Sequence, residues 1–244
     1  MIKAGELPGP AASGRPAPRV GGADGVALID AGAWLDLASL TALFGAIPAD
    51  PYVREGFRHK ALSRMRISGT EAVVGPHEPL YQSAEYNPVH GGLERHYPAL
   101  TALMVTAVAS ALRMFQVAAC LPEDEEVLVQ AQRITTGPAG VIGHPAVEGF
   151  HQDDVEAVGI LLAGRAGLTG GKTLVSGDAD GQALVFAAEL RPGQLLILDD
   201  RRVWHYTSPV RDTPPGRGHR DVVLFGWPSS RRPGGSRPGA EKTS

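Results

Sequence analysis

Two histidines and one aspartate in the second half of this 244-residue chain have the types and spacing of a metal centre. His151 and Asp153, in the run His151-Gln152-Asp153, stand at the entrance to an apolar run from Val155 to Leu162, and His205 lies within another, Val203 to Thr207. In extended backbone, residues two apart point to the same side. His151 and Asp153 can therefore chelate one ion while a distant strand brings His205 to a third corner. Two imidazoles and one carboxylate on one face leave three positions open, the arrangement that suits ferrous iron taking up a cosubstrate and oxygen. The same three groups could hold zinc, nickel or manganese in a non-oxidative, cupin-like protein, because affinity order alone does not select iron. Arg220, fifteen residues beyond His205, opens the last apolar run. A guanidinium is always charged and holds a carboxylate through two parallel hydrogen bonds, so its place here points to a dicarboxylate anchored by its far end.

The elements that must position these groups change character along the chain. Asp30 can cap a helix reaching about Ala46, in which Trp34, Leu35, Leu37, Leu40, Leu43 and Phe44 recur at helical spacing before Pro48. A second helix is expected from about Pro98 to Cys120. After Pro122 the pattern turns to short runs rich in Val, Ile and Leu: Val127–Ile134, Val155–Leu162, Lys172–Ser176, Ala183–Ala187, Gln194–Leu198, Val203–Thr207 and Asp221–Phe225. Breakers such as Thr169-Gly170-Gly171 and Arg191-Pro192-Gly193 separate several of them. A helical first half and a strand-and-turn second half predict helices packed outside a β-sandwich or barrel, not an alternating βαβ sheet.

Composition narrows the classes further. A net charge of −3 leaves no basic field for nucleic acid or an anionic membrane surface. Cys120 is the only cysteine, which excludes an internal disulfide and a thiolate metal cluster and fits a reducing cytoplasm. Met1 to Val20 has no apolar core of the kind a signal peptide needs, and the uncharged stretch Tyr97 to Leu112 is shorter than the roughly 20 residues of a membrane span. Residues 1–25 and 229–244, rich in Pro, Gly, Ser and Arg, have too little apolar surface to offset the entropy of ordering them and read as disordered tails.

Longer motifs carry a family resemblance. Val147-Glu148-Gly149-Phe150-His151-Gln152-Asp153, Leu168-Thr169-Gly170-Gly171, Pro192-Gly193 with Asp199-Asp200, Trp204-His205, and His219-Arg220-Asp221 resemble the iron(II)/2-oxoglutarate-dependent dioxygenases. They are most similar to the branch with bacterial isoleucine 4-hydroxylase and related free amino-acid hydroxylases. Upstream, Asp50-Pro51-Tyr52, the basic stretch Arg54 to Arg66 and the segment 87–92 extend the likeness to residues 30–228. The resemblance implies a double-stranded β-helix (jelly-roll) core packed by helices. One domain then covers 26–228, with a helical part at 26–121 and the core at 122–228.

It also implies Fe(II), 2-oxoglutarate and O2 as cofactors, His151, Asp153 and His205 as iron ligands, and Arg220 gripping 2-oxoglutarate, which is converted to succinate and CO2 as an aliphatic C–H bond is hydroxylated. Desaturation or ring closure would use the same cofactors, whereas halogenation is disfavoured because Asp153 fills the position a halide would take. The expected substrate is a free amino acid or a small amino-acid-derived metabolite, with a carrier-protein-bound aminoacyl group as the alternative. Glu148 fits a contact to the substrate amine, a hydrogen bond to a ligating imidazole, or a plain surface acid in a loop. Arg133 fits the substrate carboxylate or a structural ion pair, and Thr173 a hydroxyl contact to 2-oxoglutarate or plain strand propensity. Arg64 and Arg66 share one side of an extended stretch and could line the pocket mouth, but a charge run is more often a solvated face. Asp154 departs from the pattern, because a small residue, often Gly, is expected after the Asp.

Overall fold

The computed structural model describes residues 22, 24–85, 87, 89, 91–136, 141–213 and 217–229, so the expected tails fall almost entirely outside it. Along the described chain run β1 (Val26–Asp30), α1 (Leu37–Leu43), β2 (Arg58–Ser68), β3 (Glu71–Val74), α2 (Ala102–Ala118), β4 (Val127–Thr135) and β5 (Ala157–Ala166). They are followed by β6 (Leu168–Gly170), β7 (Thr173–Ser176), β8 (Leu184–Ala188), β9 (Gln194–Asp199), β10 (Trp204–Thr207), β11 (Val210–Asp212) and β12 (His219–Trp227). Seven strands pair antiparallel in the order β1-β9-β5-β12-β4-β2-β3. A smaller sheet, β10-β7-β8, and the pair β11-β6 complete the strands.

The central strands β5, β9 and β12 alternate between two apolar environments. On one face Val129 of β4, Leu161 of β5, Ile197 of β9 and Phe225 of β12 pack with Leu40 of α1 and with Met104, Val108, Leu112 and Phe115 of α2. The α2 residues recur at helical spacing and form its buried stripe. On the other face Val158 and Ile160 of β5, Leu196 of β9 and Val222 of β12 meet Val175 of the small sheet. The large sheet is thus the middle of three layers, helices on one side and the small sheet on the other. Burial of each large apolar side chain contributes roughly 1.5–3 kcal/mol.

The second helix falls within its expected range, its start fixed by Thr101, whose hydroxyl accepts a hydrogen bond from the Met104 N–H at 3.2 Å. The first is shorter than expected. Its cap is Asp36, which accepts from the Ser39 N–H at 3.0 Å, and Asp30 instead ends β1, opposite Gln194 of β9. The larger correction concerns residues 26–121, expected to be helical: they supply β1, β2 and β3 to the large sheet as well as both α-helices. The basic run hid β2 because its charges alternate as they would on a solvated strand. Arg58, Lys60 and Arg64 are in fact buried.

Candidate metal centre

The two histidines are brought together by backbone pairing. His151 N–H donates to the His205 carbonyl at 3.1 Å, and His205 N–H donates back to the His151 carbonyl at 2.9 Å. Residues that exchange both hydrogen bonds in an antiparallel pair send their side chains to the same face, and the two ring centroids lie 4.3 Å apart. Asp153 joins them from two residues along: its Oδ2 is 3.4 Å from His205 Nε2 and its Oδ1 3.9 Å from His151 Nε2. All three donor atoms lie within 4.8 Å of one another. Neighbouring donors on one ion, with bonds of about 2.0–2.2 Å, stand about 3–4 Å apart, so the donor set fits a shared metal.

The surroundings aim these donors. His151 Nδ1–H donates to the Gly149 carbonyl at 2.9 Å, which turns the Nε2 lone pair into the site. His205 Nδ1 faces Asp200 Oδ1 at 3.6 Å, and both atoms are buried without another hydrogen-bond partner. The other oxygen of Asp200 accepts from the N–H groups of Asp153, at 2.7 Å, and Val155, at 3.4 Å. One buried carboxylate therefore fixes the backbone of one ligand and faces the ring of another. Burial, followed by the nearby Asp153 charge, pushes Asp200 up to about 8. Burial opposes ionisation of Asp153 too, yet its hydrogen bond and charge interaction with His205, with further help from His151 and Lys60, hold it well below the usual carboxylate range. Burial and the like charge of His151 lower His205, which favours the neutral, metal-binding ring. Asp154 has φ 61°, in the left-handed region where Gly is the usual occupant and Asp among the tolerated exceptions. The residue is exposed, and it does not line the site.

A cavity of about 90 Å³ opens over the triad and is also lined by Glu148 and Arg220. Glu148 Oε1 lies 3.7 Å from His151 Nε2. Arg220 is 2% exposed, and its Nη2 has no hydrogen-bond partner. Burial and then the charge of Arg165 lower it to about 10, so it remains a cation at neutral pH. Gly171 passes so close that a Cβ there would sit 3.1 Å from Arg220 Cδ. Thr173 is fully buried one step back, its hydroxyl 3.4 Å from that of Thr207, and it is Thr207 that lines the cavity.

Arg133 is not brought to this cavity. Gln130 and Gln132 of β4 line it, and Arg133 projects from the opposite face, where Nε and Nη2 hold the two carboxylate oxygens of Asp221 at 2.7 Å each. That face carries a separate pocket of about 510 Å³, larger but without the triad.

Sequence reasoning missed four residues. Gln82 donates to Asp153 Oδ1 at 3.2 Å and accepts from Asn87 at 3.0 Å and from Arg95. Arg58, Lys60 and Arg95 line the cavity with it. Arg58 and Lys60 lay in the basic run, whose alternation was the one available signal. Gln82 and Arg95 come from the irregular segment between β3 and α2, and no local motif marks them.

Among solved structures, a bsmA homolog from Methylobium petroleophilum PM1 is 25% identical with a TM-score of 0.70, the match covering 84% of this chain and 88% of that one. IDO from Bacillus thuringiensis matches at 13% identity and TM-score 0.61 over 83% of this chain and 92% of its own. TqaL, an Fe(II)/α-ketoglutarate-dependent dioxygenase, matches at 15% and 0.55 over 83% and 82%. No curated protein matches the sequence. The antiparallel sheets are those of the 2-oxoglutarate oxygenase jelly roll. With the 2OG-Fe dioxygenase family model matching residues 41–226, the chain belongs to that family, whose cofactors are Fe(II) and 2-oxoglutarate.

Proposed function

We propose that the protein hydroxylates an aliphatic C–H bond of a free amino acid or a small amino-acid-derived metabolite, in the cytoplasm, with 2-oxoglutarate converted to succinate and CO2. The observation that carries this reading is the convergence of His151, Asp153 and His205 on one face, with a buried, partly unpaired Arg220 in the same cavity. When bound there, iron(II) and 2-oxoglutarate supply the activation of O2 that makes an unactivated C–H bond reactive. The chain's own task is to hold and orient. His151, Asp153 and His205 would hold the ion from one side, and Asp200 keeps the Asp153 backbone in place and faces the His205 ring. Arg220 would receive the far carboxylate of 2-oxoglutarate, with Thr207 lining the same cavity and Thr173 placed behind Thr207. Glu148 accepts the substrate amine next to the ion, and the polar walls fix which carbon faces it. The likeness to isoleucine 4-hydroxylase motifs, with the distant structural match to IDO, supports an amino acid as substrate.

The test is anaerobic loading of the purified chain with Fe(II) and 2-oxoglutarate, then exposure to O2 with a panel of amino acids. Succinate release and a one-oxygen mass gain are the readouts. One amino acid should couple the two, and His151→Ala or Asp153→Ala should lower both at least a hundredfold while losing the metal. Succinate formation that persists in those variants would overturn the reading.

A further inference from the structure

The cavity has more positive charge than its cofactors use. Four of its lining residues are cations: Arg58, Lys60, Arg95 and Arg220. Two are carboxylates, Asp153 in the triad and Glu148 beside it. In the proposed function 2-oxoglutarate takes Arg220. The other three cations form a separate group. In register across the large sheet, Arg58 of β2 and Arg220 of β12 flank Ile134 of β4, two strand spacings or about 10 Å apart. Lys60 follows Arg58 on the same face of β2, and Arg95 comes from the segment covering it.

These three residues are buried, with 6%, 7% and 2% exposure for Arg58, Lys60 and Arg95. Arg58 is half satisfied: its Nε holds Asp50 at 2.6 Å, but its Nη2 has no partner. Arg95 spends Nη2 on Gln82 and leaves Nε unpaired. Lys60 makes no ion pair with any described carboxylate, and its ammonium stands 5.1 Å from the Tyr97 ring centre. A buried cation without a counter-charge is costly. Three together, answered only by Asp50 on Arg58 and by Asp153 beyond ion-pair distance of Lys60, are a site waiting for an anion. The same crowding shows on Lys60, which burial and then the charges of Arg58 and Arg95 lower to about 7. An anion set between them relieves that strain and restores the proton.

We propose that Lys60 and Arg95, backed by Arg58, form the subsite for a free carboxylate of the primary substrate. The inference rests on the dioxygenase reading above and sharpens it. Gln82 joins this subsite to the metal, since it accepts from Arg95 and donates to the ligand Asp153. A small zwitterion then spans the cavity, its carboxylate at Lys60 and Arg95 and its amine at Glu148, which presents the carbons between them to the ion. A carrier-bound aminoacyl thioester, with no free carboxylate, leaves the cations unanswered and is excluded as substrate.

The metal-loaded chain, saturated with 2-oxoglutarate without oxygen, is titrated calorimetrically with free L-amino acids and with their carboxamides. At least one acid should bind, and its amide should bind at least thirtyfold more weakly. Lys60→Met, close in shape to the wild type, and Arg95→Gln should each weaken that acid at least tenfold while changing 2-oxoglutarate affinity less than twofold. Arg220→Met should do the reverse. Amides binding as tightly as acids, variants that weaken 2-oxoglutarate instead, or failure of every acid to bind while 2-oxoglutarate still does, would each overturn the subsite. Failure of 2-oxoglutarate itself to bind the wild-type chain overturns the cofactor assignment, and this inference with it.

Discussion

Lys60 and Arg133 show how far a charge's role depends on which side of a strand it leaves. Lys60 falls from 10.5 to about 7 in the fold, whereas an unfolded chain keeps its proton to about 10.4. Between about pH 7 and 10 the unfolded state therefore binds the Lys60 proton more firmly, and this residue's contribution to stability rises with pH, by a few kcal/mol at about 1.4 kcal/mol per unit. The melting temperature of the metal-free chain should climb from pH 8 to 9.5, above the range in which the raised Asp200 carboxyl gives up its proton and acts in the opposite direction, and Lys60→Met should flatten that climb. Arg133 has the opposite character. Asp221 is wholly buried against it, so Arg133→Met strands a charge and should cost about 3–5 kcal/mol in urea unfolding. Substrate half-saturation in the surviving folded enzyme should be unchanged, and Arg133→Met with Asp221→Val should recover most of the stability. The candidate ligands were legible because His-x-Asp is a local pattern and His205 lies on a strand that its apolar run reveals. Arg133 was not, because its address depends on which face of β4 turns to the cavity, and the alternation of Gln130 and Gln132 with apolar neighbours fits a barrel interior and a solvated face equally.

At the scale of elements, α2 and the large sheet meet through close contact rather than bulk. Gly159 of β5 sits beneath the Phe115 and Phe225 rings, which stack with centroids 5.3 Å apart. A Cβ there would lie 2.7 Å from one ring and 3.0 Å from the other. Gly159→Ala should destabilise by about 1–3 kcal/mol through overpacking, yet leave iron uptake intact, since the triad lies across the sheet. Denaturant unfolding paired with metal titration separates the two effects. The strands after Pro122 were readable from short Val-, Ile- and Leu-rich runs between breakers, and α2 from the uncharged stretch Tyr97 to Leu112. The strand β2 was not, because an interior face lined with Arg and Lys follows the same alternation as an exterior one.

Across the whole molecule, the part before Pro122 is sewn into the part after it. β1 lies against β9 at one edge of the large sheet, while β2 and β3 extend the other beyond β4. Neither part has a closed core without the other, so the 26–228 unit should unfold in one cooperative step. Far-ultraviolet circular dichroism and tryptophan fluorescence should give coincident midpoints. Among the described residues no helix is long and apolar enough to cross a membrane.

The mutual backbone bonds of His151 and His205 have a consequence for how the ion is taken up. The two rings stand on one antiparallel bridge whose backbone bonds involve no ion, so chelation by these residues should order little new chain. Deuterium uptake at these two amides should already be slow in the stripped protein and should slow only slightly further on loading. A site assembled by its ion would instead show two fast-exchanging amides that become protected together.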